Sequence, residues 1–264
     1  MYPDLFQIGP FTLHSFGVMA MFGFLVPTLI MRRDFKRLKI EPDFASTIAV
    51  AAIIGGFVGA RLYYLIEHWQ AFLREPWSMI FSGAGLVWYG GLFGGVAAVA
   101  WVIKHYKMSF WPVADVVSIL LLLGQAFGRM GCLLAADGDY GPPTDVPWAM
   151  SFPNGVVPTD ELVHPTPLYD IIILLTFFTI LWNLRKRDFT PGTLFGMYFI
   201  AVGIGRFITE FWRTTPKILF GWMTMAQIIS ICLIITGLAI IYLRQRAHAR
   251  QTVVAGTTAR RQPA

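Results

Sequence analysis

Charge is scarce in this sequence. Only 14% of its 264 residues are Asp, Glu, Lys or Arg, against 56% hydrophobic and 15% aromatic. A water-soluble domain has too few polar side chains to cover so much apolar surface, so a soluble fold is excluded. Cysteine is almost missing as well. Cys132 and Cys232 each fall alone in an apolar stretch, without the paired spacing of a disulfide framework or a zinc site, and both are expected to be reduced and buried. Basic residues outnumber acidic ones, 21 to 15. They stand in short clusters between apolar runs rather than on one polar face, which argues against nucleic acid as a partner. Residues 1–10 carry neither a basic region nor a small-residue cleavage site, so the first apolar run is expected to stay as a helix. No internal repeat is visible.

The sequence is rich in apolar runs of about 20 residues, the length that spans a hydrocarbon core roughly 30 Å thick. Seven helices are expected, over residues 11–31, 45–66, 86–103, 112–134, from about 164 to 184, 192–212 and 221–243. The segment 67–83 is too polar to span. Its Trp69, Phe72, Trp77 and Phe81 mark an interfacial arm at headgroup level between helices two and three. The segment 135–163 is rich in Pro, Gly and Asp, contains no Lys or Arg, and is expected to be a loop. The fold class is thus an all-α integral membrane protein, with one domain over residues 1–243 and a basic, disordered tail over 244–264.

Seven spans make the loops alternate. One set holds Arg32, Arg33, Lys36, Arg37, Lys39, Lys104, Lys107, Arg185, Lys186, Arg187 and the basic tail; the other holds Arg74 and Lys217, with Arg213 at a helix edge. The positive-inside rule then places the N-terminus outside and the C-terminus in the cytoplasm. In this frame His14, Arg61, Tyr89, Arg129 and His164 all fall towards the outer ends of their helices. Arg206, Glu210 and Arg213, spaced i, i+4, i+7, share one face of helix six in its outer half.

An arginine at mid-membrane depth costs about 2.5–3.5 kcal/mol and persists where it faces a partner or a polar cavity. Arg129 lies near the end of a helix, with Gly124, Gly128 and Gly131 beside it to admit neighbouring backbones, just before the carboxylates Asp137 and Asp139. Each charge alone has a structural reading, as a snorkelling headgroup contact for Arg213, an ion pair for Arg206 and Glu210, or a packing device for Arg61. Their common depth instead indicates a site for an anionic ligand drawn from the outer leaflet. Asp137 and Asp139 resemble the start of a calcium loop, but the remaining ligand spacing is absent, and no metal is expected.

These pieces together resemble the prolipoprotein diacylglyceryl transferase family over nearly the whole chain. The resemblance rests on Gly9-Pro10, Leu13-His14 and Gly17; on Gly59 to Arg61; on Gly90-Gly91-Leu92; and on Gly128-Arg129-Met130-Gly131. It continues through Pro147 to Pro153, through His164-Pro165-Thr166-Pro167-Leu168-Tyr169, and through Arg206-Phe207, Glu210-Phe211 and Arg213. It implies a transferase at the outer face of the bacterial inner membrane, needing no cofactor. The enzyme moves the diacylglyceryl group of phosphatidylglycerol to the lipobox cysteine thiol in the signal peptide of a preprolipoprotein, releasing glycerol 1-phosphate. Arg129, Arg206, Tyr89 and Glu210 become the expected catalytic residues, and Arg61, His14, Asp137, His164 and Arg213 the expected substrate-binding ones. The chain departs from the usual family pattern at Cys132 and Ala135, where asparagines are common, at Tyr89, where histidine is common, and at Phe16, near the usual tyrosine. Asp137 falls at the family's glutamate, with one extra residue before Gly141. A phenol is a weak base, so Tyr89 is expected to position the headgroup by hydrogen bonding. Two other readings stay open: a transporter or flippase for an anionic lipid, and a lipid-binding paralogue without turnover. Against the transporter, the ionisable residues gather at one leaflet's depth rather than at the midplane.

Overall fold

The computed structural model describes residues 2–9, 11–81, 85–219 and 221–259. Pro10, residues 82 and 83 of the expected arm, and residues 260–264 of the tail lie outside the described residues. In chain order the elements are β1 (Asp4–Ile8), β2 (Phe11–His14), α1 (Ser15–Arg37), α2 (Phe44–Glu67), α3 (Trp69–Arg74), α4 (Pro76–Phe81), α5 (Trp88–His105) and α6 (Phe110–Ala135). Then come β3 (Met150–Phe152), β4 (Thr159–Val163), α7 (Thr166–Leu184), α8 (Thr193–Thr209), a 3-10 turn (Glu210–Trp212), β5 (Lys217–Leu219), β6 (Met223–Thr224) and α9 (Met225–Ala259).

Helices dominate, but among the described residues three two-stranded antiparallel hairpins join them. The first corrects the expected start of helix one. Residues 11–14 form a strand that pairs with β1, Phe6 opposite Leu13 and Gln7 opposite Thr12, and the helix begins at Ser15. Phe-Thr-Leu-His alternates apolar and polar side chains, the two-residue period of a strand, and the left-handed Gly9 (φ 58°) lies at the turn. The segment 135–163 likewise contains a hairpin, β3 with β4, where a loop was expected. At the far end, the helix expected over 221–243 starts at Met225 and continues to Ala259.

Among the described residues six helices are long and apolar enough to cross a membrane: Ser15–Arg37, Phe44–Glu67, Phe110–Ala135, Thr166–Leu184, Thr193–Trp212 and Met225–Arg250. The 18-residue α5 is not one of them; besides four glycines it ends in the polar Lys104 and His105. Large apolar side chains such as Phe57, Phe93, Ile235 and Leu243 stand exposed on the helices. Both cysteines are free, but Cys132 is half-buried and Cys232 exposed. The expectation of burial fails at Cys232, since an apolar helix in a lipid-facing protein turns apolar residues outward as well as inward.

The chain divides into two compact units, Thr28–Val113 and Met1–Pro27 with Ala114–Ala264. Within the first, α2 packs on α5 through glycines: a Cβ on Gly59 would collide with the carbonyl oxygen of Gly90, and one on Gly55 with Ala98 and Gly94. Small residues bring the backbones into van der Waals contact where lipid supplies no hydrophobic drive.

In the other unit, α8 meets α9 in the same manner at Gly203. The carboxylate of Asp115 on α6 accepts the N–H groups of Gly192 and Phe195, each at 2.7 Å. A side chain from another helix thus satisfies donors that every helix start leaves open. Leu133, Ala136, Phe152, Val163 and Ile171 form a buried cluster that fastens the β3–β4 hairpin to α6 and α7. Phe152 is 1% exposed and its ring stacks on Tyr140 at 5.1 Å; burying one such side chain contributes about 1.5–3 kcal/mol. This cluster fixes the turn at residues 136–141, which carries Asp137 and Asp139.

Candidate active site

Four elements of the second unit bring six charges together. Arg129 comes from the last turns of α6 and Asp139 from the turn that follows. Asp170 is in the first turns of α7, and Arg206, Glu210 and Arg213 descend the end of α8 and its 3-10 turn. Asp139 is the hub. Its Oδ2 takes the Nη1 of Arg129, its Oδ1 takes the Nη1 of Arg213, and Nη2 of Arg213 donates to Oδ2 at 2.8 Å. Beneath it, Oδ2 of the buried Asp170 lies 3.2 Å from both Nε of Arg129 and Nη2 of Arg213. Each of these two arginines therefore shares the same two carboxylates.

Burial opposes the charge on Asp139, but the hydrogen bond from Arg213 and the positive charge of Arg129 outweigh it, holding the carboxyl below its ordinary value. Arg206 stands within the field of Arg213, Asp170 and Arg129. Its Nη2 lies 2.8 Å from Oε2 of Glu210, a charge contact without hydrogen-bond alignment. Among the described residues, Nη1 of Arg206, Nε of Arg213 and Oε1 of Glu210 are buried with no hydrogen-bond partner. An orphaned guanidinium nitrogen beside two braced guanidiniums is the chemistry of an oxyanion or phosphate seat. No group of three or more His, Cys, Asp or Glu among the described residues is placed to hold a metal ion.

The other expected residues lie elsewhere. The half-buried Arg61, in the Thr28–Val113 unit, donates to the carbonyls of Met79 and Gly85, the latter at 3.3 Å, and lies over the Tyr64 ring. It thereby ties down the backbone that follows α2. Tyr89, in the same unit, is exposed in the first turn of α5, edge-on to Trp88. His14 is exposed and pairs with Asp4 at 2.6 Å across the N-terminal hairpin. The exposed Asp137 accepts the N–H of Asp139 at 3.3 Å, so it shapes the turn while Asp139 meets the arginines. Nδ1 of His164 lies 3.0 Å from the hydroxyl of Tyr169, which also accepts a hydrogen bond from Trp148.

Sequence reasoning missed Asp170 and did not place Asp139 in the site. A signal for Asp170 was present: a lone carboxylate in an otherwise apolar helix marks a functional position by default.

Among the described residues, six helices of spanning length with large apolar side chains exposed point to a multi-pass membrane protein, and a partly buried arginine–carboxylate cluster at the ends of three of them has the chemistry to hold an anion. The family model for prolipoprotein diacylglyceryl transferase matches residues 3–243, and the chain belongs to that family. It is similar to the phosphatidylglycerol–prolipoprotein diacylglyceryl transferase of Nostoc sp., 32% identical over 92% of this chain and 90% of the relative. The enzyme of the same name from Clostridium tetani is 33% identical over 90% and 96%, and that of Pseudomonas paraeruginosa 30% identical over 94% and 96%.

Proposed function

We propose that this chain transfers the diacylglyceryl group of phosphatidylglycerol to the lipobox cysteine of preprolipoprotein signal peptides, at the outer leaflet of the bacterial inner membrane. The thiol sulfur attacks the glyceryl carbon that carries the phosphate. The C–S bond forms, the C–O bond breaks, and its electron pair leaves on glycerol 1-phosphate. The thiol proton ends on the released phosphate or on water. Negative charge grows on the leaving phosphate, so donors already aimed at it stabilise the transition state more than the ground state.

The observation that carries this reading is the orphaned Nη1 of Arg206 beside the Arg129–Arg213 pair. Arg129, Arg206 and Arg213 bind the phosphate, and Glu210 sets the angle of Arg206. Substrate roles for Tyr89, Arg61, His14, Asp137 and His164 rest on the family resemblance. In this reading α5 is the seventh span and α3 with α4 the interfacial arm. The N-terminus faces outward, and the basic end of α9 lies in the cytoplasm.

Two experiments test it. Purified protein in phosphatidylglycerol vesicles with a lipobox peptide is expected to release glycerol phosphate and yield a thioether-linked peptide; no product from a folded protein would sink the activity. A reporter active only in the cytoplasm is expected to give signal fused after Arg250 and none between Gly155 and Glu161. The reverse pattern would invert the topology and move the site to the inner leaflet.

A further inference from the structure

We infer that the Asp139 carboxylate occupies the seat of the substrate's phosphate, and that it swings out when an anionic phosphodiester enters between Arg129 and Arg213. The inference rests on the transferase reading of the same site and adds to it a built-in competitor for the lipid headgroup.

Four observations carry it. First, Asp139 meets the two guanidiniums as a phosphate would, one oxygen to Arg213 and the other shared between Arg129 and Arg213. Second, charge already balances without substrate: three arginines face Asp139, Asp170 and Glu210. With Asp139 turned out, three guanidiniums against two carboxylates leave one positive charge, matching the single negative charge of a phosphodiester.

Third, the two carboxylates on the arginine pair are held differently. Asp170 is 9% exposed on a helix, whereas Asp139 is 25% exposed on a turn whose Ala136 (φ 50°) and Gly138 (φ 91°) are left-handed. Fourth, the backbone of Asp139 is pinned independently of its side chain. Its N–H donates to Oδ1 of Asp137 at 3.3 Å, and its carbonyl accepts from the Thr166 hydroxyl at 2.5 Å. Rotation about χ1 therefore releases the arginines without unfolding the turn. Asp170 stays below as the permanent counter-charge that keeps both guanidiniums aimed.

The test uses the full chain in nanodiscs. Phosphate affinity is read in zwitterionic lipid by titrating inorganic phosphate, and lipid affinity as the KM for phosphatidylglycerol in turnover. Asp139→Asn is expected to bind inorganic phosphate at least tenfold more tightly than wild type and to lower the KM several-fold. Asp139→Ser reads the same change should Asp139→Asn fail to fold. Asp170→Asn removes an equal charge from the same arginines but leaves Asp139 in its seat, so a smaller effect is expected there.

Phosphate affinity unchanged in both Asp139 variants, or raised equally in Asp170→Asn, overturns the inference. So does tighter phosphate with an unchanged KM, because the lipid then does not enter that seat. Wild-type turnover tests the transferase reading separately. If wild type makes no product while Asp139→Asn gains phosphate affinity over Asp170→Asn, the anion seat stands and the reaction assigned to it fails.

Discussion

Arg213 grips Asp139 at two points, Nη1 on Oδ1 and Nη2 on Oδ2, and the same Nη2 also lies 3.2 Å from Asp170. That one guanidinium links the turn after α6 to α7 and to the end of α8. An arginine at a helix end, which alone would suit a headgroup contact, is here 11% exposed and joined to two acids. The consequence is a rigid pair, Arg129 and Arg213, next to an arginine with spare donor capacity.

Arg206 is the residue whose loss should affect rate most directly. Replacing it with Ala is expected to slow transfer by about 10²–10³, or about 2.7–4 kcal/mol, by analogy with removing one oxyanion donor. Lysine should rescue poorly because it lacks the planar fork. Arg206→Ala also leaves Glu210 buried and alone, so the double variant Arg206→Gln/Glu210→Gln separates the two effects. It should melt near wild type yet remain inactive. Activity near wild type in that double variant would make Arg206 structural.

The Arg206–Glu210 pair was legible in sequence because helical periodicity is regular, and six of the seven expected spans because apolar runs of about 20 residues stand out. Spacing i, i+4 puts two side chains on one face, and they indeed approach to 2.8 Å. The hairpins escaped because their strands run only two to five residues, too short for an alternation to stand out from the segments around them. The choice between Asp137 and Asp139 was not legible at all. It depends on the left-handed residues Ala136 and Gly138, which turn the second carboxylate inward, and spacing alone carries no such information.

Asp170 should matter for stability before it matters for rate. Breaking a buried ion pair by removing one partner typically costs about 3–5 kcal/mol, because the remaining charge stays buried and uncompensated. Asp170→Ala is therefore expected to lower the melting temperature of the detergent-solubilised protein sharply, with Asp170→Glu intermediate. An unchanged melt for Asp170→Ala would show that Asp139 alone suffices to compensate both arginines.

The depressed carboxyl of Asp139 gives a pH dependence with a definite sign. A group whose folded-state pKa is lowered stabilises fully above its unfolded value, about 3.9 for aspartate, and loses that contribution as pH falls through the lower folded value. The melting-temperature gap between wild type and Asp139→Asn should thus be constant from about pH 5 to 8 and close below about pH 4. A gap that instead closes between pH 5 and 7 would contradict the charge contacts assigned to Asp139.

Helix packing yields a contrast between two glycines. A Cβ on Gly203 would lie 2.7 Å from the carbonyl oxygen of Ser230 and equally close to Ile234, whereas one on Gly17 meets nothing within 4 Å. Gly203→Leu should push α8 from α9 and cost about 1–3 kcal/mol or more, as overpacking does, while Gly17→Ala should be tolerated. Equal yields of folded, monodisperse protein for both variants would show that α8 and α9 are not packed through Gly203.

Donor counting predicts where the ring proton of His164 sits. The indole Nε1 of Trp148 lies 2.8 Å from the hydroxyl oxygen of Tyr169, and Nδ1 of His164 lies 3.0 Å from the same oxygen. An indole N–H can only donate, so the Tyr169 oxygen accepts from Trp148, and its own proton is expected on the bond to Nδ1. The ring proton of His164 is then predicted on Nε2, as a donor to substrate oxygens rather than a base for the thiol. Nitrogen-15 NMR on histidine-labelled protein, with His164 assigned by its loss in His164→Gln, should show the Nε2–H tautomer. Tyr169→Phe should shift it towards a mixture. In activity, His164→Gln, which retains an N–H donor, should stay within a few-fold of wild type. His164→Ala should lose roughly tenfold, the net contribution of one hydrogen bond. An Nδ1–H signal in wild type would show that Tyr169 accepts from both neighbours. It would leave Nε2 free to take a proton and reopen His164 as the base.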